Sequence, residues 1–140
     1  MYIDDDAEDR EFFKEAVKDI DPTLMCYMAQ DGREGLNDLS EMIVMPDFIF
    51  VDVNMPIMNG RQFLIEIKKV PRLRSIPLIM YSTTSHCDEI QEFLKLGAYK
   101  VLVKPNSLSK IQALVKSVLS AQLSHSERIL GESNLKQKVT

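Results

Sequence analysis

Four sets of polar residues each follow directly on a short apolar run. Asp4, Asp5 and Asp6 follow Tyr2-Ile3, and Asp52 follows the run ending at Val51. Ser82, Thr83 and Thr84 follow Leu78 to Tyr81, and Lys104-Pro105 follows Val101 to Val103. Carboxylates from Asp5 and Asp52, with Asp4 nearby, would repel if gathered, and one would be driven toward its neutral form unless a cation intervened. A hard divalent ion resolves that conflict. Mg²⁺ is typically held by one or two carboxylates, water and a phosphate oxygen, and a backbone carbonyl from the loop after Asp52 would complete the set. Lys104 adds a compact positive charge and Ser82 a hydroxyl donor. A carboxylate nucleophile, a metal, a lysine and a hydroxyl are the parts required to form and hold an aspartyl phosphate.

Taken singly, each set has an ordinary structural reading. Asp4 to Asp6 suit a solvated loop that caps a helix. Asp52 suits the start of a turn with Asn54 and Pro56, Lys104-Pro105 suits another turn, and Ser82 to Thr84 suit an N-cap for the helix that follows. Cys26, Cys87 and the eight methionines read as packing residues. His86 and His125 have no partner at catalytic or metal-ligating spacing and read as surface residues. The weight comes from all four sets falling at the ends of successive strands.

The elements that must position them are legible from periodicity. The apolar runs around Tyr2-Ile3, Phe48 to Val51, Leu78 to Tyr81 and Val101 to Val103 are short and lack polar alternation, as expected of strands covered on both faces. Leu24 to Ala29 is a fifth candidate. Helical stripes alternate with them: Phe12, Phe13, Ala16, Val17 and Ile20; Leu36, Leu39, Met42 and Ile43 after Asp31-Gly32; Phe63, Leu64 and Ile67 between Gly60 and Pro71; Ile90, Phe93 and Leu94, stopped by Gly97; and Ile111, Leu114, Val115, Val118 and Leu119, starting near Ser107 or Ser109. Five alternations predict an α/β fold, a parallel sheet with five helices on its two faces. Ligands of such sheets bind outside the carboxyl ends of the strands, where the polar sets lie. The first strand has only Met1, Tyr2 and Ile3 to draw on, against about five or six residues for an average strand.

Composition sets the outer bounds. The chain has 140 residues, 17 Lys and Arg against 21 Asp and Glu, and a net charge of −4. With 45% hydrophobic and 27% charged residues it has the balance of one globular domain. No apolar run approaches the roughly 20 residues of a membrane span, and no signal peptide opens the chain. Mild acidity argues against direct nucleic-acid binding. The two cysteines form no CxxC pair, so a reduced, cytoplasmic protein is expected. The domain is expected over residues 1–123, followed by a polar tail, 124–140, that extends the last helix or stays disordered.

These motifs together resemble a bacterial two-component response-regulator receiver domain. The marks are Ile3-Asp4-Asp5-Asp6; Phe50-Val51-Asp52-Val53-Asn54-Met55-Pro56 with Gly60 after it; Tyr81-Ser82-Thr83; and Val103-Lys104-Pro105, spaced by about 48, 30 and 22 residues. The resemblance covers residues 2 to 121 and implies a flavodoxin-like sheet in the order 2-1-3-4-5. By position, it implies that Asp52 accepts the phosphoryl group and that Asp5 ligates Mg²⁺ directly, with Asp4 acting through water. Arg10 supports taking Asp4-Asp5 rather than Asp5-Asp6 as the acidic pair. The Asn54 carbonyl would be the third protein ligand. Ser82 would bond the phosphoryl group and Lys104 would pair with it. Pro105 would follow a cis bond, Gly60 would serve the tight loop beneath the site, and Thr83 and Val101 occupy structural or switch positions. The switch position is usually aromatic; here it is Val101, with Tyr99 two residues earlier, so output is expected to run through loop and helix movement.

The implied function is a stand-alone phosphoacceptor module. It would receive its phosphoryl group from a sensor histidine kinase or a histidine phosphotransfer protein, hydrolyse the acyl phosphate itself, and signal by protein–protein contact as a monomer or weak homodimer, without membrane or nucleic-acid partners. Two other readings compete. A small phosphatase of the haloacid dehalogenase type also uses an aspartate, Mg²⁺, a hydroxyl and a lysine, but requires a second aspartate where Asn54 stands and a nucleophile on the first strand. A receiver-like binding module without phosphorylation would be expected to lose Asp52, Lys104 or the acidic pair, and none is lost.

Overall fold

The computed structural model describes residues 1–83 and 85–121; Thr84, His125 and the tail expected over 124–140 lie outside the described residues. Five strands, β1 (Tyr2–Ile3), β2 (Met28–Ala29), β3 (Ile49–Asp52), β4 (Leu78–Ser82) and β5 (Lys100–Val103), form one sheet in the order β2-β1-β3-β4-β5. Every pairing is parallel. Helices α1 (Ala7–Ile20), α2 (Gly32–Glu41), α3 (Gly60–Lys69) and α4 (Cys87–Lys95) connect them, and a fifth, α5, carries residues 108–121. This is the flavodoxin-like order expected above.

Alternation along the strands divides the core in two. Ile49 and Val51 of β3, with Leu78 and Met80 of β4, pack beneath α2, α3 and α4 against Leu39, Phe63, Leu64, Ile67 and Phe93. Phe50, Ile79 and Tyr81 point the other way, onto Phe13, Ala16 and Val17 of α1 and Ile111, Val115 and Val118 of α5. Burying a side chain such as Phe63 or Leu64 contributes about 1.5–3 kcal/mol.

Local chemistry sets most helix starts. The Asp6 carboxylate accepts from the Glu8 and Asp9 amides, and Asp31 accepts from those of Arg33 and Glu34. Asn59 and Gln62 form a reciprocal capping box at α3. α4 differs from expectation: Ser82 and Thr83 do not cap it. Its N-cap is His86, which makes no side-chain cap bond. Gly97, at φ +104°, ends α4 in the left-handed region that favours glycine.

Other departures have simple causes. The segment from Leu24 is strand only at Met28–Ala29, because β1 offers just Tyr2 and Ile3 for pairing. Phe12 faces solvent, half exposed, while Phe13 takes the core position. Ile43 lies beyond Met42, the C-cap of α2, and is 96% exposed.

Candidate functional site

Parallel pairing fixes the levels at which the strands end. Ile3 lies beside Val51, Asp52 beside Tyr81, and Ser82 beside Val103, so Asp4, Asp52, Ser82 and Lys104 emerge on one edge. Carboxylate oxygens of Asp4, Asp5 and Asp52 come within 4.8 Å of one another. Asp4 and Asp52 are buried and Asp5 is exposed, so the cluster has two walls and an open side.

Asp4 has no solvent exposure and is held from several directions. Its Oδ2 accepts the Tyr2 hydroxyl and the Lys104 ammonium, both at 2.6 Å, and its Oδ1 accepts the Asp6 amide at 3.0 Å. The Arg10 guanidinium donates to its carbonyl oxygen at 2.7 Å, which ties α1 to the end of β1. Burial, with the hydrogen bond to Asp4 second, pushes the Tyr2 hydroxyl far above its usual pKa.

Asp52 ends β3. Burial pushes its pKa up to about 6, the Asp4 and Asp5 charges add to the rise, and the Lys104 charge opposes it. Lys104 lies 3.9 Å from Asp52 Oδ1 but 2.6 Å from Asp4 Oδ2 and 2.6 Å from Asp9 Oδ2. Burial alone would lower the lysine pKa; the bonds to Asp4 and Asp9 outweigh it and leave the ammonium above its usual value. Ser82 is buried at the end of β4, and its carbonyl accepts the Lys104 amide at 2.9 Å, which fixes the spacing between hydroxyl and lysine.

Gly60 lies directly beneath. A Cβ there would run into the Asp52 carbonyl oxygen and come 2.9 Å from the Val53 Cα, so only glycine lets α3 start against the end of β3. Asn54 is exposed in the loop between β3 and α3. In the same loop Ile57 adopts φ +67° with its side chain 80% exposed, a strained conformation for a β-branched residue. Thr83 is exposed beside Ser82, and Val101 packs partly buried in the core, away from the polar edge. Tyr99 is about half exposed, with the Lys100 ammonium 5.8 Å from its ring centroid.

One expectation is corrected. There is no cis peptide bond among the described residues, so Pro105 follows a trans bond. Trans is the intrinsically preferred form by about 0.5–1 kcal/mol, and Lys104 is oriented instead by the carboxylates that grip its ammonium. Sequence reasoning also missed Asp9. It stands in the first turn of the helix that Asp6 caps, four residues after Asp5, and that spacing is the signal by which it could have been found.

The chemistry of the donors fits a hard cation. Three carboxylates supply oxygen ligands, and with two of them buried, a divalent ion would relieve the repulsion that raises Asp52. A cavity of about 300 Å³ at the opposite, amino-terminal ends of the strands is lined by Phe13, Val17, Phe48 and Val115 and gathers no comparable polar set.

A profile of the response regulator receiver domain matches residues 1–116. The sensor histidine kinase CheAY of Helicobacter pylori is 31% identical over 83% of this chain. The chain spans 14% of that protein, and 33% and 51% of two further curated relatives. Among solved structures, the phosphorylated cyanobacterial phytochrome response regulator RcpA is similar with a TM-score of 0.77 at 28% identity, over 89% of this chain and 93% of that one. The Mn²⁺-bound form of the response regulator Rcp1 has a TM-score of 0.70 at 25% identity, over 85% and 89% of the two chains.

Proposed function

Because the chain belongs to the response regulator receiver family, we propose that it takes a phosphoryl group onto Asp52 and signals through the change in charge and packing that follows. Receiver domains of this family work in two-component signalling, and neither the phosphatase nor the unphosphorylated module is favoured; the Asp52 carboxylate sits on the third strand with Asn54 two residues on. The donor is a phosphohistidine on a histidine kinase or phosphotransfer protein. An Asp52 oxygen forms the new O–P bond as the P–N bond of the donor breaks, and the imidazole leaves with the electron pair.

Asp4, Asp5, Asp52 and the Asn54 carbonyl are the groups proposed to hold Mg²⁺, Asp4 acting through water. When bound, the ion neutralises charge on the carboxylates and on the transferred group. Lys104 and the Ser82 hydroxyl are proposed to receive the phosphoryl oxygens. Phosphorylation changes the charge at Asp52 from −1 to about −1.5 to −2, which draws Lys104 toward it and supplies the force for a shift in the loops after β4 and β5. The observation that carries this reading is the meeting of three carboxylates within 4.8 Å beside an ammonium 3.9 Å from Asp52.

Intact mass spectrometry after incubation with acetyl phosphate and Mg²⁺ tests it. One phosphoryl group is expected on the wild type and none on Asp52→Asn. A stable phosphoryl adduct on Asp52→Asn would overturn the assignment.

A further inference from the structure

We propose that Asp9 is a positioning residue that draws Lys104 away from Asp52 and thereby sets how readily the site accepts a phosphoryl group. The inference rests on Asp52 being the acceptor, as proposed above. An ammonium has three N–H donors, and two of the three carboxylates around Lys104 hold it at 2.6 Å while Asp52 stands at 3.9 Å, beyond hydrogen-bonding reach. The two holders differ in kind. Asp4 is fully buried and also serves Tyr2 and the Asp6 amide, so it belongs to the fixed frame of the site. Asp9 projects from the first turn of α1 with its side chain 40% exposed, so solvent and salt screen its bond to Lys104.

A cavity of about 100 Å³, lined by Asp9, Lys104, Tyr81 and Asn106, gives the lysine side chain room to move beside α1. A cation bound by Asp4 and Asp5 would weaken the Asp4 hold on Lys104. Asp9 is then the carboxylate that competes with Asp52 for the ammonium, and its screened bond is the one to be exchanged when charge arrives at Asp52.

Beryllofluoride, a phosphoryl mimic, tests this in the full chain by calorimetric titration at saturating Mg²⁺. Asp9→Asn is expected to bind it about two- to fivefold more tightly than wild type, the range set by a partly exposed ion pair. Glu8→Gln removes the same charge from the same turn without touching Lys104 and is expected to match wild type, as is the conservative Asp9→Glu. Mg²⁺ titrated alone is expected to bind no more tightly to Asp9→Asn than to wild type, so that tighter beryllofluoride binding cannot be traced to tighter metal binding. Tighter Mg²⁺ binding in Asp9→Asn would overturn the positioning role. Unchanged beryllofluoride affinity in Asp9→Asn, or equal tightening in Glu8→Gln or Asp9→Glu, overturns the positioning role alone. Absence of beryllofluoride binding to the wild type strikes the phosphoacceptor reading, and both fall together.

Discussion

Replacing Asp52 with Asn should make the metal-free protein more stable at neutral pH, although it removes the residue the site is built around. Burial, with Asp4 second, raises the Asp52 pKa from 3.8 to about 6. The native state therefore holds this proton more tightly than the unfolded chain. The associated stability is fully present below about pH 3.8 and is lost as pH rises through about 6. A shift of about two units at about 1.4 kcal/mol each puts the cost of the ionised carboxylate near 3 kcal/mol above pH 7. At pH 5 about half of that cost has developed. The neutral amide of the Asp52→Asn variant would carry none of it. Thermal unfolding followed by circular dichroism in EDTA should place the Asp52→Asn midpoint roughly 10 °C above wild type at pH 7.5, with the gap roughly halved at pH 5. Saturating Mg²⁺ should narrow it from the other side by stabilising the wild type more than the variant. A variant no more stable than wild type at pH 7.5, or a gap that widens on acidification, would refute the electrostatic account of the site.

Three further outcomes follow from neighbouring residues. Lys104→Met strips the buried Asp4 carboxylate of its cation and should cost about 3 kcal/mol in urea denaturation at neutral pH, the usual result of breaking a largely buried pair from one side; a loss under about 1 kcal/mol would show that the pair is screened like a surface contact. Tyr81→Phe removes a buried hydroxyl that has no hydrogen-bond partner among the described residues and should raise stability by about 1 kcal/mol; a loss on chemical denaturation would mean that the hydroxyl is satisfied in solution. Ile57→Asn relieves a left-handed conformation that asparagine tolerates and should stabilise by about 0.5–1 kcal/mol without altering Mg²⁺ affinity, measured by denaturation and calorimetry on the same samples.

The sheet edge was legible in the sequence because parallel strands force their carboxyl ends together whatever the loops between them do. That geometry alone brings Asp4, Asp52, Ser82 and Lys104 to one place. Strand lengths were harder to read, since hydrophobicity marks what is buried and pairing decides what is strand. The run from Leu24 shrinks to Met28–Ala29 because its partner ends at Ile3. Phe12 and Phe13 are equivalent to a reader of composition, and only the orientation of α1 against Phe50 and Tyr81 decides which is buried. Asp9 escaped notice for a related reason. Its spacing from Asp5 marks the position, but its contact with Lys104, just after β5, is a tertiary fact that spacing alone does not give. The trans bond at Pro105 likewise reflects the local preference of the peptide rather than a family habit.

The stacked rings under the site also make the molecule its own optical probe. Tyr2 lies on Phe13 with centroids 4.2 Å apart, meets Tyr81 edge-on at 5.9 Å, and hangs its hydroxyl on the Asp4 carboxylate. The chain has no tryptophan and only four tyrosines, so near-ultraviolet emission is unobscured by indole, and one of those phenols bonds the acidic cluster directly while a second meets that first ring edge-on. Any ion or anion that disturbs Asp4 should therefore register as a change in tyrosine emission, without a label and without a mutation.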